Sequence, residues 1–280
     1  MEDTRVEVLS GLEALMDAAW PAPERHDTGA WVLRAARGVT QRANSVWPRV
    51  PAADAAAAVR DAASWYRQRR LPVIYQIFDH DDAAPLNAVL DTLGYTRQSE
   101  TLVMSRRAEP RDSLPVSAGV EISERPSAEW LELWWSVDGR GGAAELETAR
   151  AILTGCPALY ALVRDDDGGP AAVGRLAVVH GWSVDPGGAA VPGAAVPGAA
   201  GSWGGLYCMA TRPDARRRGY ATRIQQALVR AGAERGLAGY WLLVMASNSV
   251  ARELYTRAGF GEVSRYCYRQ ERPRRALTGC

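Results

Sequence analysis

From Val120 to Phe260 the apolar positions of this chain change period several times, and each change marks an element. Val120-Glu121-Ile122-Ser123 reads as an opening strand, and residues 127–136, with Trp130, Leu131, Leu133, Trp134 and Trp135, as a helix. Two apolar runs, 158–164 and 171–179, bracket Asp165-Asp166-Asp167-Gly168-Gly169, the signal of a hairpin. Leu206 to Thr211 predicts another strand, and Ala221, Ile224, Leu228 and Ala231 then fall on one helix face. Tyr240 to Met245 is apolar without a break, as suits a strand covered on both faces. Ala251 to Ala258 predicts a short helix that Gly259 ends in the left-handed conformation. Strands alternating with helices around a buried sheet predict an α/β fold.

The first half has a similar rhythm. Trp31 to Arg34 and Ala43 to Trp47 read as strands around the turn Ala36-Arg37-Gly38-Val39. Ala56, Val59, Ala63 and Tyr66 suit one helix face, and Leu71 to Phe78 a strand. Leu86 to Tyr95 then resembles Ala251 to Phe260; setting Gly94 on Gly259 places Leu90 opposite Tyr255 and Ala83 opposite Asn248. Two readings stand: a faded internal repeat, or an unrelated α/β domain with a coincidental match. Residues 105–118, polar and with two prolines, are the best linker candidate, dividing the chain into domains 1–110 and 111–280. Residues 186–201 contain only Pro, Gly, Ala and Val and predict a long hairpin loop, either a lid or a tolerated insertion.

Composition narrows the function. A net charge of +1 argues against a nucleic-acid partner, which usually meets a basic excess. No apolar run approaches the roughly 18 residues of a membrane span, and Met1 to Arg5 lacks the start of a signal peptide, so a cytosolic protein is expected. Cys156, Cys208, Cys267 and Cys280 are scattered and read as thiols; His26, His80 and His180 have no paired ligand spacing, so no metal is expected. The sequence leaves the oligomeric state open.

Chemistry enters after the strand 206–211. Arg212-Pro213-Asp214-Ala215 leads into Arg216-Arg217-Arg218-Gly219-Tyr220-Ala221-Thr222 and the amphipathic helix. A strand running through a glycine turn into a helix start points several backbone N–H groups one way, which suits a pyrophosphate. About 30 residues on comes Asn248-Ser249-Val250-Ala251-Arg252-Glu253-Leu254-Tyr255, closed by Gly259-Phe260. The pair R-x-x-G-x-A and N-x-x-A-x-x-L-Y-x-x-x-G-F resembles the GNAT superfamily of N-acetyltransferases over about residues 119–270. That resemblance implies a GNAT-like mixed sheet with acetyl-coenzyme A as co-substrate, its pyrophosphate held at Arg216 to Thr222. It implies that Met209, Ala210 and Thr211 pair with the pantetheine arm, that Asn248 lies beside the cofactor, and that Tyr255 protonates the leaving thiolate. In the first half, Pro48 to Asp54 has no glycine and two prolines, so a repeat there would have lost the phosphate loop as well as the tyrosine. Such a copy would serve to buttress the second half and wall off the acceptor site.

Amine attack on a thioester creates an oxyanion that fixed N–H donors stabilise, and a tyrosine with a pKa of roughly 10 stays protonated to serve the leaving group. Tyr255 also fits a plain packing role. No carboxylate lies between Ser202 and Thr211; Asp138, Glu145, Glu147 and His180 are the conceivable bases, and none is singled out. Trp134, Trp135 and Asp138 are the candidate substrate-binding residues, since indole walls beside a carboxylate suit a cationic amine; core packing accounts for part of the tryptophan set equally well. Three function classes follow: a transferase for a small-molecule amine, such as an amine-bearing natural product or antibiotic; a protein or peptide acetyltransferase; and a non-catalytic acyl-coenzyme A-binding module.

Overall fold

A computed structural model describes residues 2–114, 119–182 and 201–272. The chain opens with α1 (Glu2–Ala19), β1 (Glu24–Asp27), β2 (Trp31–Ala35), β3 (Val46–Pro48) and α2 (Ala55–Gln68). Next come β4 (Ile74–Phe78), α3 (Ala84–Thr92), β5 (Thr96–Arg107), β6 (Val120–Ser123), α4 (Ala128–Asp138) and α5 (Ala143–Leu153). The rest is β7 (Ala158–Arg164), β8 (Pro170–Trp182), β9 (Gly201–Thr211), α6 (Tyr220–Ala233), β10 (Gly239–Met245), α7 (Ser249–Arg257) and β11 (Gly261–Gln270). The class is α/β, as the periodicities predict. Among the described residues, no helix is long and apolar enough to cross a membrane.

Two compact units interleave in sequence. The first comprises Ala22–Leu102, Met245–Ser247 and Ser264–Cys280; the second comprises Met1–Pro21, Val103–Val244 and Asn248–Val263. This division differs from a single cut at 110/111 for two physical reasons. The end of α1 is anchored in the second unit, where Arg175 donates to the Ala19 carbonyl at 3.1 Å. Most of β11 belongs to the first, where it pairs antiparallel with β4, Tyr266 facing Phe78 and Gln270 facing Ile74. Both attachments join positions far apart in the sequence, so no local pattern announces them.

In the first unit the strand order is β1-β2-β3-β4-β11-β5, with β3 and β4 parallel. Val59, Ala62 and Tyr66 of α2 and Leu86 and Leu90 of α3 pack with Tyr75 and Ile77 of β4 in one core. In the second unit the C-terminal part of β5 starts the order β5-β10-β9-β8-β7-β6, with β9 and β10 parallel and β7, β8 and β9 antiparallel.

Shifting first-unit positions by 165 carries α2 onto α6, both of 14 residues, and α3 onto α7, both of 9. The same shift sets the buried Val59 on Ile224 and Tyr75 on Tyr240, and Gly94 on Gly259, both glycines at positive φ. A register kept through two helices and a strand marks an internal repeat, as the first of the two sequence readings holds. The differences fall at the N-caps and at one core position. Asp54 stands where the second copy has Gly219, and its carboxylate accepts the Ala57 N–H at 2.9 Å. The first copy thus fills its helix N-terminus with its own negative charge, where a phosphate would otherwise sit. Leu90, fully buried, replaces Tyr255, and Ala83, without a side-chain cap, replaces Asn248.

Of the linker candidate 105–118, residues 105–114 are built into the fold, and residues 115–118 lie outside the described residues. Residues 105–107 finish β5, and Pro110–Ser113 form a 3-10 turn. Arg106 grips Asp112 through two hydrogen bonds of 2.8 Å, both side chains nearly fully buried, and lies over the Tyr240 and Phe260 rings. Residues 186–200 of the Pro-Gly-Ala-Val stretch lie outside the described residues, whereas Gly201, assigned to that loop from sequence, opens β9.

Candidate active site

The site grows from a break in strand pairing. β9 and β10 are in register from Trp203–Gly239 to Leu206–Leu242, and there the pairing stops although both strands continue. On the other edge of β9, Val173 faces Ala210 and Arg175 faces Tyr207, so Cys208 and Met209 together oppose Gly174. This is a bulge, with Cys208 in the left-handed region at φ 54°. The Gly174 carbonyl beside it accepts from Trp130 Nε1 at 3.2 Å, and the Ala161 carbonyl from the same nitrogen at 3.0 Å. Past Leu206, the β9 edge toward β10 is open over the segment holding Met209, Ala210 and Thr211. Met209 and Thr211 are half-buried and Ala210 is buried.

The turn after β9 is pinned before it opens. Arg212 donates to Asp214 and to Asp165, each at 2.7 Å, and to the Pro170 carbonyl at 3.1 Å. The Arg212 guanidinium holds the Asp165 carboxyl below its usual pKa. Arg217 (φ 63°) and Gly219 (φ 80°) are both left-handed, and Gly219 is the N-cap of α6. A turn of this kind followed by a helix start gathers unpaired N–H groups at the positive end of the helix dipole. A Cβ on Gly219 would meet nothing within 4 Å, so its conformation, not crowding in this structure, calls for glycine. Arg216, Arg217, Arg218 and Thr222 are exposed, Ala221 is half-buried and Tyr220 is buried. Arg216 Nε donates back to the Thr211 carbonyl at 3.4 Å. A groove of about 810 Å³ runs alongside, lined by Thr222, Gln225 and Val229 of α6 and Val250 and Leu254 of α7.

Tyr255 is buried on α7, its ring edge-on to Phe260 at 6.2 Å. Burial pushes its pKa up to about 12, and its hydroxyl has no hydrogen-bond partner among the described residues. Asn248 is the N-cap of α7, with Oδ1 accepting the Ala251 N–H at 3.1 Å, so its side-chain oxygen has a structural task.

On α4 the tryptophans divide. Trp130 is a core residue bridging two strand carbonyls, as above. Trp134 is buried, 6.0 Å from Trp130 and 5.7 Å from the half-buried Trp135. Asp138, at the end of α4, is exposed, yet loss of hydration raises its pKa against the opposing pull of Arg140, a hydrogen bond from Trp134, and Arg216. Glu145 is engaged otherwise: it accepts the Gly142 N–H at 2.8 Å as the cap of α5, a bond that lowers its pKa. Glu147 is exposed, and His180 Nδ1 lies 2.7 Å from Ser202 Oγ. Among the described residues, no group of three His, Cys, Asp or Glu could hold a metal ion.

The sequence reading did not find the bulge at Cys208 or the tie between Asp165 and Arg212. A triple aspartate before Gly168-Gly169 signals a turn and nothing more, and the guanidinium it holds is 47 positions away.

Residues 9–269 match the family described as "Probable histone acetyltransferase Rv0428c C-terminal". The chain belongs to this family of acetyltransferases. It is an N-acetyltransferase of GNAT type, and relatives match it almost from end to end. "Uncharacterized N-acetyltransferase YobR" of Bacillus subtilis (strain 168) is 24% identical over 264 residues, 93% of this chain and 98% of that protein. In fold, the acetyltransferase is similar to a GCN5-related N-acetyltransferase from Kribbella flavida, with TM-score 0.64, 16% identity and 96% of each chain covered. A tandem GNAT protein from the clavulanic acid biosynthesis pathway matches with TM-score 0.59 and 12% identity over 96% of this chain and 88% of that one. The tandem architecture of that neighbour agrees with the repeat found here, whose copies are offset by 165 positions.

Proposed function

We propose that this acetyltransferase moves the acetyl group of acetyl-coenzyme A to the primary amine of a small molecule, and that the second copy alone performs the reaction. The observation that carries this reading is the open edge of β9 leading into the left-handed turn at Gly219. One feature offers backbone amides to an extended amide-bearing arm, and the other offers N–H groups and arginines to a pyrophosphate. The N–H groups beside the bulge suit the oxygen that becomes negative when an amine attacks the thioester, and fixed donors of this kind are worth about 10²–10³ in rate. Tyr255 gives its proton to the departing sulfur; its hydroxyl is not engaged elsewhere in the described structure, and burial keeps it protonated. Asp138 binds the cationic amine, with the Trp134 and Trp135 indoles at its side. The groove between α6 and α7 takes the nucleotide end of the donor.

A second reading is favoured by the family's description as a histone acetyltransferase: the acceptor is then a lysine side chain of a basic protein. The deciding experiment measures free thiol released from acetyl-coenzyme A across a panel of small amines and basic peptides, for wild type and Tyr255→Phe. Turnover with free amines, lost in the variant, supports the proposal. Turnover confined to peptides moves the acceptor to protein, and donor binding without thiol release from any acceptor means a binding module.

A further inference from the structure

In the middle of β8, Arg175 is fully buried. It donates from Nη1 to the Ala19 carbonyl at 3.1 Å and from Nη2 to Cys156 Sγ at 3.0 Å, and its Nε has no partner. The rings of Trp20, Tyr160 and Tyr207 lie 5.8, 6.0 and 5.9 Å from the guanidinium. No carboxylate pairs with it among the described residues; the acidic groups that bear on its charge are Cys156, Tyr160 and Cys208. A buried cation calls for an anion close by. Tyr160 does not supply one: its hydroxyl donates to the Leu153 carbonyl at 2.7 Å, and burial raises its pKa. Besides the neutral Ala19 carbonyl, Cys156 accepts from the guanidinium. Its only other polar contact is the Ala19 carbonyl, at 3.5 Å.

Cys156 is also reachable. It is half-buried and lines a pocket of about 650 Å³ in the second unit together with Arg125 and Arg150. Both arginines are exposed, and neither forms an ion pair with a described residue; Glu124, the rim carboxylate, is held by Arg235 at 3.2 Å. A sulfur that accepts from a buried guanidinium and lines a pocket with two exposed arginines suits an anionic electrophile.

We propose that Cys156 is a site of covalent modification that takes small anionic disulfides by thiol–disulfide exchange. Sγ, as thiolate, attacks one sulfur of the disulfide. A bond forms between Sγ and that sulfur while the original S–S bond breaks, and the departing thiolate takes a proton from water. Cys156 is oxidised and the disulfide is the oxidant. Arg175 stabilises the attacking sulfur, and Arg125 and Arg150 draw in the negative reagent. This inference does not depend on the acetyl-transfer reading.

The test treats the full chain with glutathione disulfide, and in parallel with the uncharged bis(2-hydroxyethyl) disulfide, and follows the Cys156 and Cys267 peptides by mass spectrometry. Cys267 is the internal reference, a half-buried thiol whose pKa burial raises. Cys156 is expected to react about tenfold faster or more than Cys267, as cysteines beside cations do. Its preference for glutathione disulfide over the uncharged reagent should shrink several-fold in Arg125→Gln/Arg150→Gln, two exposed positions whose exchange leaves the core intact. Modification of Cys156 no faster than Cys267, or at equal rates with the two disulfides, overturns the proposal.

Discussion

A phenol with a pKa of about 12 stays protonated throughout the range in which an amine acetyltransferase works. Replacing Tyr255 by Phe should lower kcat by about 10²–10⁴-fold, the usual worth of a positioned acid. Thermal unfolding should be almost unchanged, because the hydroxyl forms no hydrogen bond with a described residue. A role in packing alone predicts the opposite pattern, with Phe tolerated in the assay. The raised pKa also has a stability consequence: the folded state holds this proton more tightly than the unfolded one. The contribution is complete below pH 10, the unfolded value, and is lost as pH rises toward about 12. Asp138 offers a second check. Asp138→Asn should raise KM for the amine and leave KM for acetyl-coenzyme A nearly unaltered. Because its pKa is raised, wild-type affinity for the amine should begin to fail on acidification at a higher pH than an ordinary carboxylate would give. An unchanged amine KM in the variant would remove Asp138 from the acceptor site.

The elements of the site were legible where local chemistry dictates them. The spacing Ala221, Ile224, Leu228 and Ala231 gave α6, and Gly259 gave the end of α7. Gly219 stood out as the glycine of a turn between a strand and a helix, and the structure shows it as a left-handed N-cap. What stayed hidden depends on contacts across the chain: the splay of β9 from β10, the bulge at Cys208, and the grip of Asp165 on Arg212. Asn248 was legible as a motif residue, while its capping bond is a local role that the motif alone does not disclose. Gly219→Ala tests the turn. Forcing a side chain into the left-handed region costs about 1–2 kcal/mol, which for a domain of this size lowers the melting temperature by a few degrees, about 2–4 °C per kcal/mol. If the turn holds the pyrophosphate as proposed, KM for acetyl-coenzyme A should rise by more than that strain explains, since the new methyl would stand in the path of the phosphate. A variant that melts lower but keeps its donor KM would place the pyrophosphate elsewhere.

At the scale of the whole molecule the repeat could be read from Leu86 to Tyr95, but the arrangement of its strands could not. Each copy is followed by a strand that its own second parallel strand does not pair with. β4 pairs with β11, the last strand of the chain, and β10 lies beside β5, the last strand of the first copy. A cut at 110/111, natural from the linker-like composition there, therefore takes β11 from the first unit and β5 from the second. Residues 1–110 and 111–280 expressed separately should show weak, non-cooperative unfolding by circular dichroism, and mixing them should restore a single sharp transition. Two fragments that each fold cooperatively alone would contradict the exchange. The same exchange bears on synthesis. β11 leaves the ribosome long after β4, with the second copy in between, so the edge of β4 waits open while that copy is being made. A unit completed only when so distant a strand emerges is one that the cell must shield until then.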